Sequence, residues 1–268
     1  MKKEVNSVRK RTQRLFFIGL LFLFPFTMFA QGPPVYTDTP TLFGLEGRGF
    51  MTFAKFVVKE NVNVYAQPFA LPVDIGADFQ VGAIAPYMVI SPKNMQSVSG
   101  FGDISVFAKY VFQQKDGPGR TIRTLVKFME TFPTGSITKT PSIGSGVNQT
   151  YLGLVSGYVN LNYGLYGELG YTFVSGNEPD NLLYGASIGI PLLPQEYPPY
   201  QVNIYLGFNG SHEFEREKNV LYISPGIQYI AGKKVLFETG VQLPVREDVP
   251  AGNKTKYIFT FGTRMLLF

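Results

Sequence analysis

The sequence predicts an all-β fold, a transmembrane antiparallel up-and-down β-barrel of about twelve strands. Three observations predict it. Short segments alternate apolar and polar residues along most of the chain, a stretch resembling an export signal stands in front of them, and the chain ends on an aromatic residue, Phe268.

The amino terminus is considered first, because its removal changes every count that follows. Lys2, Lys3, Arg9, Lys10, Arg11 and Arg14 form a basic region, residues 15–29 an apolar stretch, and Ala30 a small residue at a cleavage point. The apolar stretch is shorter than the roughly 20 residues a membrane-spanning helix needs. Residues 1–30 therefore read as a cleaved signal peptide. Met28 stands where a small residue is preferred, which leaves a retained signal anchor as the alternative. No cysteine follows, so this is not a lipoprotein signal.

Six of the 24 basic residues and one of the 19 acidic ones, Glu4, lie in that leader, which leaves 18 of each in the mature chain. The isoelectric point of 9.2 thus belongs to the leader, and basicity gives no reason to expect nucleic acid as a partner. The absence of cysteine excludes a disulfide framework and a thiolate metal site. Charged residues make up 16% of the chain and aromatic residues 15%, beside 29 glycines, a composition suited to a surface that meets lipid.

Residues 31–45 read as a separate segment, either a plug in the lumen or a periplasmic extension, and residues 46–268 as the barrel. The barrel region divides into about twelve segments long enough for a tilted strand to cross a bilayer. The clearest are residues 103–112, 122–128, 163–173, 202–208, 221–229 and 235–243. In the first of these Ile104, Val106, Ala108, Tyr110 and Phe112 share one face, opposite Asp103, Ser105 and Lys109. Val202, Ile204, Leu206 and Phe208 stand opposite Gln201, Asn203, Tyr205 and Asn209. Val235, Phe237, Thr239, Val241 and Leu243 stand opposite Glu238, Gly240 and Gln242. This is apolar-out, polar-in alternation. A soluble β-sandwich alternates as well, so the connections have to decide. One set is short (72–74, 115–119, 160–162, 195–199, 231–233) and the other longer (91–99, 133–148, 175–181, 211–218, 246–254), the arrangement of bacterial outer-membrane barrels.

The last segment is less regular. Phe268 and Phe261 have opposite parity, and Arg264 falls on the side of Phe268; either a bulge near Gly262 shifts the register or the final residues lie in the interface.

Charges on the polar faces supply the lumen-facing candidates: Lys55, Asp103, Lys109, Arg123, Lys127, Glu168, Glu238 and Arg264. A Lys or Arg facing lipid at mid-depth costs about 2–4 kcal/mol, so these side chains belong inside. There they either pair and brace the lumen or form a constriction that selects what passes. Hydrolase chemistry rests on a single histidine, His212, between Ser211 and Glu213. On a strand Ser211 points away from it, so a nucleophile and base pair is not assembled. One histidine and no cysteine also argue against a transition-metal site. No catalytic residue, metal or cofactor is expected.

The segment Gly102-Asp103-Ile104-Ser105-Val106-Phe107-Ala108-Lys109-Tyr110 resembles the G-D-x(5)-K-Y signature of the outer-membrane transporter-like barrels named for the meta-pathway of phenol degradation. Phe132-Pro133-Thr134-Gly135 is similar to that family's P-T-G strand end. Ser224-Pro225-Gly226-Ile227-Gln228-Tyr229 is similar to its P-G-x-Q-Y segment. Tyr36-Thr37-Asp38-Thr39-Pro40 is similar to its T-D-R-P opening, with Thr39 where Arg is usual. The resemblance implies a barrel that passes small molecules, hydrophobic or aromatic ones among them, across the outer membrane, and no catalytic residues. The expected partners are the lipid bilayer, a small-molecule solute and, through Phe268, the barrel assembly machinery. The alternatives are a closed structural or surface-interaction barrel and an outer-membrane hydrolase.

Overall fold

The computed structural model describes residues 33–45, 47–194, 196 and 198–267; the expected signal peptide and Phe268 lie outside them. The strands are β1 (Arg48–Lys59), β2 (Val62–Asp74), β3 (Phe79–Pro92), β4 (Val98–Phe101), β5 (Ile104–Gly117), β6 (Arg120–Phe132), β7 (Gln149–Asn160), β8 (Gly164–Val174), β9 (Asn181–Pro191), β10 (Tyr200–Glu213), β11 (Lys218–Ala231), β12 (Val235–Glu247) and β13 (Thr255–Leu267). β4 and β5 are two parts of one stave. Both pair with β3, first as Tyr87 with Phe101 and then as Ile84 with Ser105, so the β4–β5 side carries one extra residue around Gly102 and Asp103. This local bulge leaves a barrel of twelve staves.

Each stave pairs antiparallel with the next, and β1 closes on β13 from Arg48 opposite Leu267 to Val58 opposite Tyr257. Closure leaves no free sheet edge, as a spanning β-structure requires in a medium that offers no hydrogen bonds.

Burial is inverted relative to a soluble sandwich. On β10, Ile204, Leu206 and Phe208 are 41–46% exposed, whereas Gln201 and Asn203 are fully buried. Gln228, Glu238 and Ser224 are likewise buried, and the apolar side chains of neighbouring staves form the outer belt. An amide or carboxylate is placed inside, and a leucine outside, only where the outside is lipid.

The register of β13 corrects the sequence reading. Pairing with β1 and with β12 runs without interruption past Gly262, so there is no bulge there. Ile258, Thr260 and Gly262 are buried, while Phe259, Phe261, Met265 and Leu267 are exposed. Uninterrupted alternation therefore turns Arg264 inward.

Both ends of the described chain lie at the end of the barrel that carries residues 75–78, 118–119, 161–163, 192–199 and 232–234. The opposite end carries 60–61, 93–97, 133–148, 175–180, 214–217 and 248–254. The longest loop, 133–148, marks that opposite end as extracellular. The length rule is not uniform, since 192–199 on the periplasmic side exceeds 214–217 on the other.

Candidate functional site

The lumen is occupied by the chain's own residues 33–45. Their contacts trace a re-entrant loop. At one foot the Gln228 side chain donates to the Pro33 carbonyl at 2.7 Å and Arg264 to the Pro34 carbonyl at 3.2 Å. Both donors stand near the periplasmic ends of β11 and β13. Higher up, the Asn209 amide donates to the Tyr36 carbonyl at 3.2 Å. The chain then descends. Leu42 packs in a buried cluster with Val111, Leu125 and Val155, and the Gly44 N–H donates to Asp74 at 2.7 Å.

Asp38 is the tip. Lys109 and Lys127 lie directly opposite each other on β5 and β6 and both face the lumen, a like-charge pair that would repel if left alone. The Asp38 carboxylate sits between them, Oδ1 at 2.7 Å from Lys109 Nζ and Oδ2 at 2.9 Å from Lys127 Nζ. The Thr39 N–H adds a third donor at 2.7 Å. Burial would raise the Asp38 carboxyl, but Lys109 and Lys127 outweigh it and hold it well below the usual carboxylate range. Glu168 completes the cluster. It accepts from the Asp38 N–H at 3.0 Å and the Tyr151 hydroxyl at 2.8 Å, with Lys127 at 3.7 Å. Tyr151 lies flat over Gly153 and Gly170, positions where any Cβ would collide with its ring.

Inward-facing glycines also make room for the loop itself. A Cβ at Gly226 would meet Val35, at Gly240 Tyr36, at Gly157 Pro40 and at Gly49 Phe43. Part of the wall is thus shaped to a peptide.

A second cluster lies lower. Arg264 grips Glu238 in a fork, Nε to Oε2 and Nη2 to Oε1, each at 3.1 Å, and its guanidinium lies 5.2 Å from the Phe53 ring centre. Two cavities flank the loop tip. One of 530 Å³ opens toward the extracellular loops and is lined by Lys127, Tyr151 and Glu168 with Glu213 and Arg216. The other, of 460 Å³, lies beside Tyr36 and Asp38 and is lined by Lys55, Phe107 and Thr260 among others.

No protein-family model and no curated protein sequence matches the chain. In structure it is similar to an outer membrane channel of Pseudomonas putida F1, with a TM-score of 0.65 at 9% identity over 88% of this chain and 100% of that one. It is also similar to the beta domain of the Bordetella autotransporter BrkA, with a TM-score of 0.50 at 12% identity over 82% of this chain and 98% of that one. The fold is that of an outer-membrane barrel.

Within that barrel the structure brings Lys109, Lys127 and Glu168 together at the loop tip, and Glu238 with Arg264 below it. Lys55 lines the central cavity. Arg123 shares the inward parity of Leu125 and Lys127 and stands toward the periplasmic end, apart from both clusters. Asp103 is placed differently from its expected position in the lumen lining. It sits in the bulge between β4 and β5, where its carboxylate accepts from the N–H groups of Gly135 and Ser145 at 2.8 and 2.7 Å, tying down loop 133–148. The Ile104 N–H donates to Thr134 at 2.9 Å, so the G-D and P-T-G motifs meet there. The G-D-x(5)-K-Y lysine likewise meets the opening motif through Lys109 and Asp38. Sequence reading left Asp38, Tyr151 and Gln228 out of the candidate list. Asp38 and Gln228 both lay in plain view in quoted motifs, whereas Tyr151 had no signal beyond strand parity.

Proposed function

We propose that this protein is an outer-membrane channel, a passive route for small molecules with hydrophobic or aromatic solutes among them, and that residues 33–45 govern how far the route is open. The observation that carries this reading is what fills the lumen. Beside wall side chains that pack on one another, such as Tyr166 and Tyr205, a peptide loop occupies it, seated on glycines and held at a few polar points, with cavities of 530 and 460 Å³ beside its tip. A barrel built only as a structural body has no need of a wall shaped to a separate peptide segment.

The resemblance to the family named for the meta-pathway of phenol degradation supports the same reading, because two of its four motifs contribute residues that seat the loop and a third forms the loop's tip. That the structurally similar Pseudomonas protein is a channel supports it too. A catalytic role finds no support at His212, which packs edge-on against Phe214 with ring centres 4.6 Å apart. Residues 1–30 are assigned to export, and Phe268 to recognition by the assembly machinery.

The test is single-channel recording of residues 31–268 in planar bilayers beside a Lys127→Glu variant. Discrete conductance steps are expected, with selectivity moving toward cations in the variant. Two folded but silent barrels would overturn the channel reading in favour of a closed structural barrel.

A further inference from the structure

The 460 Å³ cavity beside the loop tip contains a charge without a counter-ion. Four cations line it: Lys55, Lys109, Lys127 and Arg264. Arg264 is matched by Glu238, and Lys109 and Lys127 by Asp38 and Glu168. Among the described residues Lys55 has neither an ion pair nor a hydrogen-bonding partner. A lysine left without a partner in a part-buried lumen carries a desolvation cost that a bound anion would relieve by favouring its charged form.

Two more polar groups share its level. Lys55 on β1 is directly opposite Thr260 on β13, and Thr260 is directly opposite Gly240 on β12. The Tyr36 ring lies against Gly240. The hydroxyls of Tyr36 and Thr260 are both buried and lie beside each other, and neither has a well-formed hydrogen bond to any other group. Burial also pushes the Tyr36 pKa up to about 12, despite the Thr260 hydroxyl beside it, so this group remains a donor at physiological pH. An ammonium and two hydroxyls thus converge across three adjacent staves. Much of the rest of the cavity is apolar, with Phe53, Ile84 and Phe107 in its lining. Ligand sites of this kind join an apolar wall to a few convergent polar groups, and 460 Å³ lies within their usual range of about 300–1,000 Å³.

We propose that this cavity is a binding site for a small amphiphilic monocarboxylate, with its carboxylate received by Lys55, Tyr36 and Thr260 and its apolar body laid against Phe53, Ile84 and Phe107. The site deepens the channel reading by giving its cargo a chemical class, and it rests on that reading for the route by which a solute reaches the lumen.

The experiment is calorimetric titration of octanoate, and separately of the neutral octanamide, into the full mature chain in lipid nanodiscs, with empty nanodiscs subtracted. Saturable one-to-one binding of octanoate is expected, with octanamide weaker by about tenfold or more, the scale of a lost charge-assisted contact. Lys55→Met should weaken octanoate by a similar factor and octanamide by much less. Should that variant fail to fold, judged by heat-modifiable gel mobility, Tyr36→Phe serves in its place, with a several-fold loss for octanoate that exceeds the loss for octanamide. No saturable binding, equal affinity for acid and amide, or full affinity in the folded variant would each overturn the site. Because binding is measured at equilibrium without transport, a bound but non-conducting barrel would sink the channel reading and leave the site standing.

Discussion

Asp38, largely buried, and Glu238, fully buried, are both lumen carboxylates gripped by cations, yet they join different parts of the molecule. Glu238 and its partner Arg264 stand on neighbouring staves, β12 and β13, so their fork ties wall to wall. Asp38 belongs to the loop, whereas Lys109 and Lys127 belong to the wall, so the same chemistry ties contents to container. What a salt bridge does is thus decided by the backbone elements it connects. Energy invested in Glu238–Arg264 appears chiefly as barrel stability, with a smaller share reaching the loop's foot through the Arg264 bond to the Pro34 carbonyl, and energy invested in Asp38 appears as loop occupancy.

The widest separation between the two should come from Asp38→Asn. Losing the carboxylate leaves Lys109 and Lys127 facing each other, and breaking a buried ionic contact costs about 3–5 kcal/mol. That cost falls on the docked loop, so single-channel recording should show larger or longer-lived open states while the melting temperature of the barrel holds. Glu238→Gln should do the reverse to a smaller degree. The amide still accepts one bond from Arg264 but leaves its charge unmatched, a loss of about 1–3 kcal/mol that lowers thermal stability with little change in conductance. Equal effects of both variants on conductance would erase the distinction.

The smallest effect is that of pH, and its sign follows from Asp38. Docked, this carboxyl is held below the ordinary value of 3.8; undocked, it returns there. Its contribution to docking is therefore complete above about pH 4 and is lost as pH falls through the lower docked value. Wild-type currents should be flat from neutral pH down to about 5 and rise only in stronger acid, and Asp38→Asn should abolish that rise.

Strand parity was legible because lipid is a uniform solvent that sorts every side chain by the same rule. Ile104, Val106 and Tyr110 face out, and Ser105, Phe107 and Lys109 face in, by alternation alone. Parity supplies a face but neither a partner nor a height. Lys109 could be turned inward from sequence, but the carboxylate it meets lies 71 residues away in a segment that is not a strand. Asp103 illustrates the same limit from the other side. Its face was read, but a one-residue bulge and a loop beginning 30 residues later decided that it holds Gly135 and Ser145 instead of lining a pore. On the final strand the charge of Arg264 gave its inward face correctly, but its shared parity with Phe268 suggested a bulge or an interfacial end, whereas the unbroken pairing of β13 with β1 and β12 needs no bulge.

The bond from Arg264 to the Pro34 carbonyl spans 230 residues. The loop leaves the ribosome ahead of every stave that will hold it, and its seat draws on β5, β6, β8, β11 and β13 together. Anchors for the tip lie on β5, β6 and β8 and anchors for the foot on β11 and β13, so the closed barrel alone presents all of them at once, and a change in the last strand reaches the first described residues of the chain.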